Sequence, residues 1–155
     1  MPLSYTVQVE LNLPREKVLE LFEDREARPK WQRGFVSMTH KEGEPGQPGA
    51  KSDLVYQMGK RKIEMVETVT LRELPDRFDG TYDAKGVHNV VRNRFIEVGP
   101  DKTRWESDQE FHMKGMMKLF AWLMPGAFKK QSQKYMDDFK AFAEDGVDVR
   151  DEAKS

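Results

Sequence analysis

The sequence predicts an α+β domain: a curved antiparallel sheet of about seven strands wrapped around a long C-terminal helix, with two short helices after the first strand. Three observations predict it. Residues 5–12 alternate strictly between apolar and polar. Residues 51–113 break into strand-length runs separated by Gly- and Pro-containing turns. After Gly115 the apolar spacing changes to a helical one.

In the first strand Tyr5, Val7, Val9 and Leu11 share one face, and Thr6, Gln8, Glu10 and Asn12 the other. That period-two pattern marks a strand with one buried side. Pro14 suits the first helical position, where a missing N–H is no loss, and Asn12 or Leu13 would cap it. Val18, Leu19, Leu21 and Phe22 give this helix its apolar stripe. Asp24–Lys30 reads as a second short helical turn, closed before Pro29 or by Gly34, with Trp31 following. Phe35–His40 is a strand. The stretch Gly43–Gly49, dominated by Gly and Pro, is a loop inside the domain.

Five strands then follow as a meander. Leu54, Tyr56 and Met58 belong to one; Ile63, Met65, Val69 and Leu71 to the next; Phe78, Gly80, Tyr82 and Ala84 to a third. Val87–Val98 is long. Thr103–Met113 carries Trp105, Ser107, Gln109, Phe111 and Met113 on one face. Its other face, with Arg104, Glu106, Asp108, Glu110 and His112, is so charged that it should meet water. Met116–Met124 is apolar nearly all round, and Pro125 predicts a kink or break near Met124. Phe128, Tyr135, Phe139 and Phe142 form one helical stripe, and Gly146 is placed to end the helix. Residues 1–146 thus make one domain, and 147–155 a polar, frayed tail.

Composition narrows function. The 155 residues include no cysteine, which excludes disulfides, thiolate metal sites and cysteine nucleophiles. Lys and Arg total 26 against 27 Asp and Glu, a formal net charge of -1, with none of the basic excess expected of a nucleic-acid binder. The N-terminus lacks the basic start and apolar run of a secretory signal. The most apolar window, 116–124, is far short of the roughly 20 residues a membrane span needs. The expectation is a cytoplasmic monomer or homodimer without a cofactor. No His pair or carboxylate cluster has metal-ligand spacing, no Gly-rich phosphate loop is present, and no Ser sits in a nucleophile elbow.

Three local patterns carry a resemblance over nearly the whole chain, from Val7 to Phe142. They are Val18-Leu-Glu-Leu-Phe-Glu-Asp followed by Pro29 and Trp31; Glu67-Thr-Val-Thr-Leu-Arg-Glu-Leu-Pro-Asp-Arg-Phe; and Lys102-Thr-Arg-Trp-Glu after a Gly-Pro-Asp turn. With the order of elements, they resemble the helix-grip fold of the START-like (SRPBCC) superfamily, the polyketide cyclase/dehydrase and lipid-transport group, and within it small bacterial members of unassigned function. The resemblance implies an interior enclosed by sheet and helix. It does not choose among lipid carriers, metabolite binders, aromatase/cyclases and co-chaperones, which share architecture rather than a catalytic motif.

Strand parity and the resemblance together place Tyr56, Met58, Met65, Glu67, Val69, Tyr82, Trp105, Gln109 and Phe111 inward on the sheet. Phe120, Met124, Phe128 and Tyr135 join them from the helix. These are either a packed core or the lining of a cavity for a small apolar ligand such as a lipid, isoprenoid or aromatic metabolite. Glu67 stands out, because an inward carboxylate must be paired, protonated or at a mouth. Arg92 and Arg94 are its candidate partners. His88 and Asn89 lie near a strand turn and are read as outside the site. Three functions remain open: carriage of a small apolar ligand, a cyclase or dehydratase reaction using Glu67, Tyr56, Tyr82 and an Arg, and a partner-binding module whose exposed patch lies near Met117 and Trp122.

Overall fold

The computed structural model describes residues 2–152. Seven strands form one antiparallel sheet: β1 (Leu3–Leu11), β2 (Phe35–Glu42), β3 (Lys51–Met58), β4 (Arg61–Glu73), β5 (Arg77–Ala84), β6 (Val87–Gly99) and β7 (Lys102–Met113). Their order is β1-β7-β6-β5-β4-β3-β2. Every neighbour from β2 to β7 is consecutive in sequence, so tight turns set most registers. The β1–β7 pairing joins the first and last strands of the sequence, Leu3 to Phe111 and Leu11 to Thr103.

Between β1 and β2 lie the short helices α1 (Arg15–Glu23) and α2 (Arg28–Trp31). Pro14 occupies the cap position of α1 and makes no side-chain cap bond. Asn12, expected to cap it, instead donates from its side-chain amide to Glu144 at 2.7 Å, tying β1 to the far end of the last helix. Pro29 sits in the first turn of α2 rather than beyond its end, a place where proline costs no hydrogen bond.

The C-terminal region is broken, not merely bent. Helix α3 (Met116–Leu123) stops at Met124, whose φ of -132° and ψ of 64° are non-helical, and α4 (Pro125–Asp145) restarts with proline at its first position. The steric demand of Pro125 on the preceding residue accounts for the break. Helix α4 packs along β1 and ends at Gly146, whose φ of 70° is the left-handed conformation that closes a helix and suits glycine. The tail predicted to fray beyond 146 folds, within the described residues, into a turn of helix α5 (Val149–Glu152). Val149 is buried there, and α5 contacts α2. Residues 153–155 lie outside the described residues.

One end of the space between sheet and α4 is filled by aromatic rings. Phe22 of α1 is their hub, with ring centroids 5.1 Å from Phe95, 5.4 Å from Trp105, 6.1 Å from Phe78, 6.3 Å from Trp31 and 6.4 Å from Phe139. Most of these contacts are edge-to-face, the geometry that ring quadrupoles favour. The outer face of the sheet is polar, as the charged register of β7 predicts. Arg94 donates to Asp108 at 2.6 Å and to Glu106 at 3.0 Å, and Thr6 donates to Asp108 at 2.7 Å.

Candidate functional site

Beyond the aromatic end, α4 and the sheet do not close on each other. The space between them is a cavity of about 370 Å³. Its sheet wall is built from alternate residues, as a pleated strand requires: Tyr56 and Met58 of β3, Ile63 and Met65 of β4, Tyr82 and Ala84 of β5, Asn89, Val91 and Asn93 of β6, and Ser107, Gln109 and Phe111 of β7. Helix α4 contributes Phe128, Gln131, Ser132, Tyr135 and Met136, and α1 and α2 supply Phe22, Arg28 and Trp31. Lining this apolar with a few polar groups suits a small organic molecule.

The polar groups form three sets. On β6 and β7, the Trp105 indole N–H donates to Asn93 Oδ1 at 2.9 Å, Gln109 donates to Ser107 at 2.9 Å, and Asn89 donates to Gln109 at 3.2 Å. On the α4 side, Tyr5 donates to the Phe128 carbonyl at 2.9 Å and shares a 2.6 Å hydrogen bond with Ser132. Burial, partly offset by Ser132, pushes the Tyr5 phenol up to about 12. The third set surrounds Arg28 and Glu67.

Glu67 is 8% exposed and faces inward. Its partner is Arg28, whose Nη2 lies 3.3 Å from Oε2. Tyr82, directly opposite on β5, turns its hydroxyl toward the same carboxylate. Burial pushes the Tyr82 phenol well above its usual 10, and the neighbouring Glu67 carboxylate adds to this. Tyr56 donates to Gln32 at 2.7 Å, and burial raises its phenol as well. Burial opposes the Arg28 charge, but Glu67 and the two phenols outweigh it, so the guanidinium is held above its usual value. Arg28 also lies against Met38 Sδ and over the Phe35 ring, 5.9 Å from its centroid.

Arg28 and Phe22 form a partition. On one side is the main cavity; on the other is a second, polar pocket of about 260 Å³, lined by Glu67, Val69, Arg72, Glu23 and the Pro45–Gln47 loop. Of the residues predicted inward, Tyr56, Met58, Met65, Tyr82, Trp105, Gln109, Phe111, Phe128 and Tyr135 line the main cavity. Glu67 and Val69 line the second pocket.

Four predicted residues are placed elsewhere. Arg92 and Arg94 point to the outer face, because Val91, Asn93 and Phe95 take the inward positions of β6. Arg94 there pairs with Glu106 and Asp108. Phe120 and Met124 are exposed, since the break at Pro125 carries α3 away from the sheet. Asn89, read as outside the site, lines the cavity, and so do Asn93 and Arg28, which sequence reasoning did not select. Asn93 had a signal available: it is two residues from the apolar Phe95 and two from Val91, on the face opposite the arginines. Arg28 had none, for only the folding of α2 over the sheet brings it to Glu67. Among the described residues no His, Asp or Glu group could hold a metal ion, and no helix is long and apolar enough to cross a membrane.

The family described as "Polyketide cyclase / dehydrase and lipid transport" matches residues 2–144. No curated protein matches the chain by sequence. Among solved structures, the Zhui aromatase/cyclase from Streptomyces sp. R1128 superposes with a TM-score of 0.78 at 12% identity, covering 93% of this chain and 94% of that one. A conserved protein from Geobacillus kaustophilus does so with 0.77 at 13%, covering 95% and 97%. A norcoclaurine synthase from Thalictrum flavum gives 0.68 at 15%, covering 100% and 98%. At these identities the likeness is one of fold: a seven-stranded antiparallel sheet around a long C-terminal helix.

Proposed function

The chain belongs to the polyketide cyclase/dehydrase and lipid-transport family, and from that premise we propose that it binds a small, largely apolar molecule in the cavity between α4 and the sheet. One observation carries the reading: the cavity of about 370 Å³ has a wall of Met, aromatic and aliphatic side chains interrupted by a few polar ones. A fully packed interior would leave no such space, since cores tolerate few voids larger than a water molecule. The polar atoms that face the space are mainly neutral. The Asn93 amide nitrogen has no partner within the described residues, while its oxygen is held by Trp105. It therefore offers a hydrogen bond to an acceptor, such as a ligand carbonyl, deep against the sheet.

The cyclase or dehydratase reading has one observation in its favour. Tyr82 lines the cavity and is backed by Glu67 and, behind it, Arg28. A phenol this reluctant to ionise is a hydrogen-bond donor and a poor base. Glu67 itself is engaged by Arg28 and Tyr82 and lines the second pocket. With its one O–H turned to Glu67 and its phenol reluctant to ionise, Tyr82 is placed neither to donate a proton to a ligand nor to remove one, and binding is the reading preferred.

Native mass spectrometry of the purified protein tests the proposal. A stoichiometric small apolar molecule released on denaturation is the expected result. A protein that carries none, and takes up none from an added panel of lipids, isoprenoids and aromatic metabolites, would overturn it.

A further inference from the structure

Helix α3 is anomalous for a surface element. It contains no buried residue. Met116, Leu119, Phe120, Trp122, Leu123 and the following Met124 are all exposed, Trp122 to 77%. Only Met117 and Ala121, one turn apart, are half-buried, and Met117 sits beside Gly86 at the β5–β6 turn. A contiguous apolar surface of this kind marks a contact.

The charge along this part of the chain is one-sided. From Phe111 to Met136 there are five lysines, 114, 118, 129, 130 and 134, and no Asp or Glu, in a chain whose net charge is -1. All five are exposed. Lys85, also exposed, lies in the β5–β6 turn beside the first turn of α3, where the Lys114 N–H donates to the Gly86 carbonyl. An apolar helix carrying Trp, Phe, Leu and Met and flanked along the chain by exposed lysines has the composition of an element that lies in a membrane interface. Pairing of two copies through the same face would bring these lysines together, a like-charge arrangement that opposes self-association.

We propose that α3 and the first turns of α4 form a docking surface for an anionic lipid bilayer, with Trp122 and Leu123 among the acyl chains and Lys118, Lys129 and Lys130 on the phosphate headgroups. The surface adjoins the cavity: the Phe120 ring lies edge-on to Phe128, a lining residue, with centroids 5.8 Å apart. The docking itself does not depend on what the cavity holds.

Co-sedimentation of the full chain with phosphatidylcholine vesicles, with and without phosphatidylglycerol, tests this, together with tryptophan emission. The other two tryptophans, Trp31 and Trp105, are 3% and 6% exposed, so a blue shift reports Trp122. The proposal expects binding and a blue shift on phosphatidylglycerol vesicles, little on pure phosphatidylcholine, and loss of both in high salt. Each lysine at an anionic surface is worth about fivefold, so Lys118→Gln, Lys129→Gln and Lys130→Gln combined should weaken binding about a hundredfold. Trp122→Ser should weaken it by roughly tenfold or more while leaving the salt dependence in place. Equal partition onto both vesicle types, no partition onto either, or a dimer that Trp122→Ser dissolves in the absence of vesicles would each overturn the proposal.

Discussion

Removing one member of the Arg28–Glu67 pair should destabilise the protein more than removing both. The side chains are only 19% and 10% exposed, so each charge depends on the other for most of its compensation. Breaking a fully buried pair costs about 3–5 kcal/mol; the residual exposure and the 3.3 Å separation place this pair at the lower end, about 3 kcal/mol. Arg28→Met leaves Glu67 with Tyr82 alone, and Glu67→Gln leaves the Arg28 guanidinium without a carboxylate. Each single variant should lose about 3 kcal/mol, a fall in Tm of roughly 6–12 °C for a domain of this size. The double variant removes both charges and keeps an amide oxygen for the Tyr82 hydroxyl, so it should lose only about 1 kcal/mol. Urea unfolding followed by the emission of Trp31 and Trp105 measures all three. Additive losses in the double variant, or single losses below about 1 kcal/mol, would refute the assignment of Arg28 as the partner of Glu67.

Other expectations follow from the same contacts. Phe139 is fully buried against Trp31, Trp105 and Phe22, and Phe139→Ala should cost about 3–5 kcal/mol by the same unfolding measurement. Asn93→Leu strands the buried Trp105 indole N–H and should cost about 1–3 kcal/mol in the same unfolding measurement, and a loss below about 0.5 kcal/mol would show that this hydrogen bond contributes little. The Tyr5 phenol holds its proton more tightly folded than unfolded. Its contribution is therefore complete below pH 10 and drains away as pH rises through about 12. Tyr5→Phe should flatten that part of an alkaline unfolding profile, and an unchanged slope would show that Tyr5 is not responsible.

Much of this architecture was legible because β1, β3 and β7 each alternate cleanly. Tyr56 and Met58, or Trp105, Gln109 and Phe111, face inward in any register that buries the apolar set. β6 does not alternate cleanly. Val90 and Ile96 lie on its outer face and Asn89 and Asn93 on its inner one, so the polar pattern misassigned Arg92 and Arg94. The consistent guide was Phe95, which fixes the parity of the whole strand. The break before Pro125 was legible from proline sterics. Its consequence, that α3 swings away and exposes Phe120 and Met124, required the tertiary structure. Arg28 was illegible for a different reason: no periodicity on α2 encodes a contact with a strand 39 residues later.

The claim that the interior is a binding cavity is tested most directly by titrating an apolar fluorescent probe into the parent protein and into Val91→Phe. Val91 lines the cavity from the middle of β6, and the larger ring projects into the open space. The account predicts saturable, one-to-one binding by the parent and at least tenfold weaker binding by Val91→Phe, with Trp122→Ser unchanged from the parent. No binding by the parent, or equal binding by the parent and Val91→Phe, would contradict it.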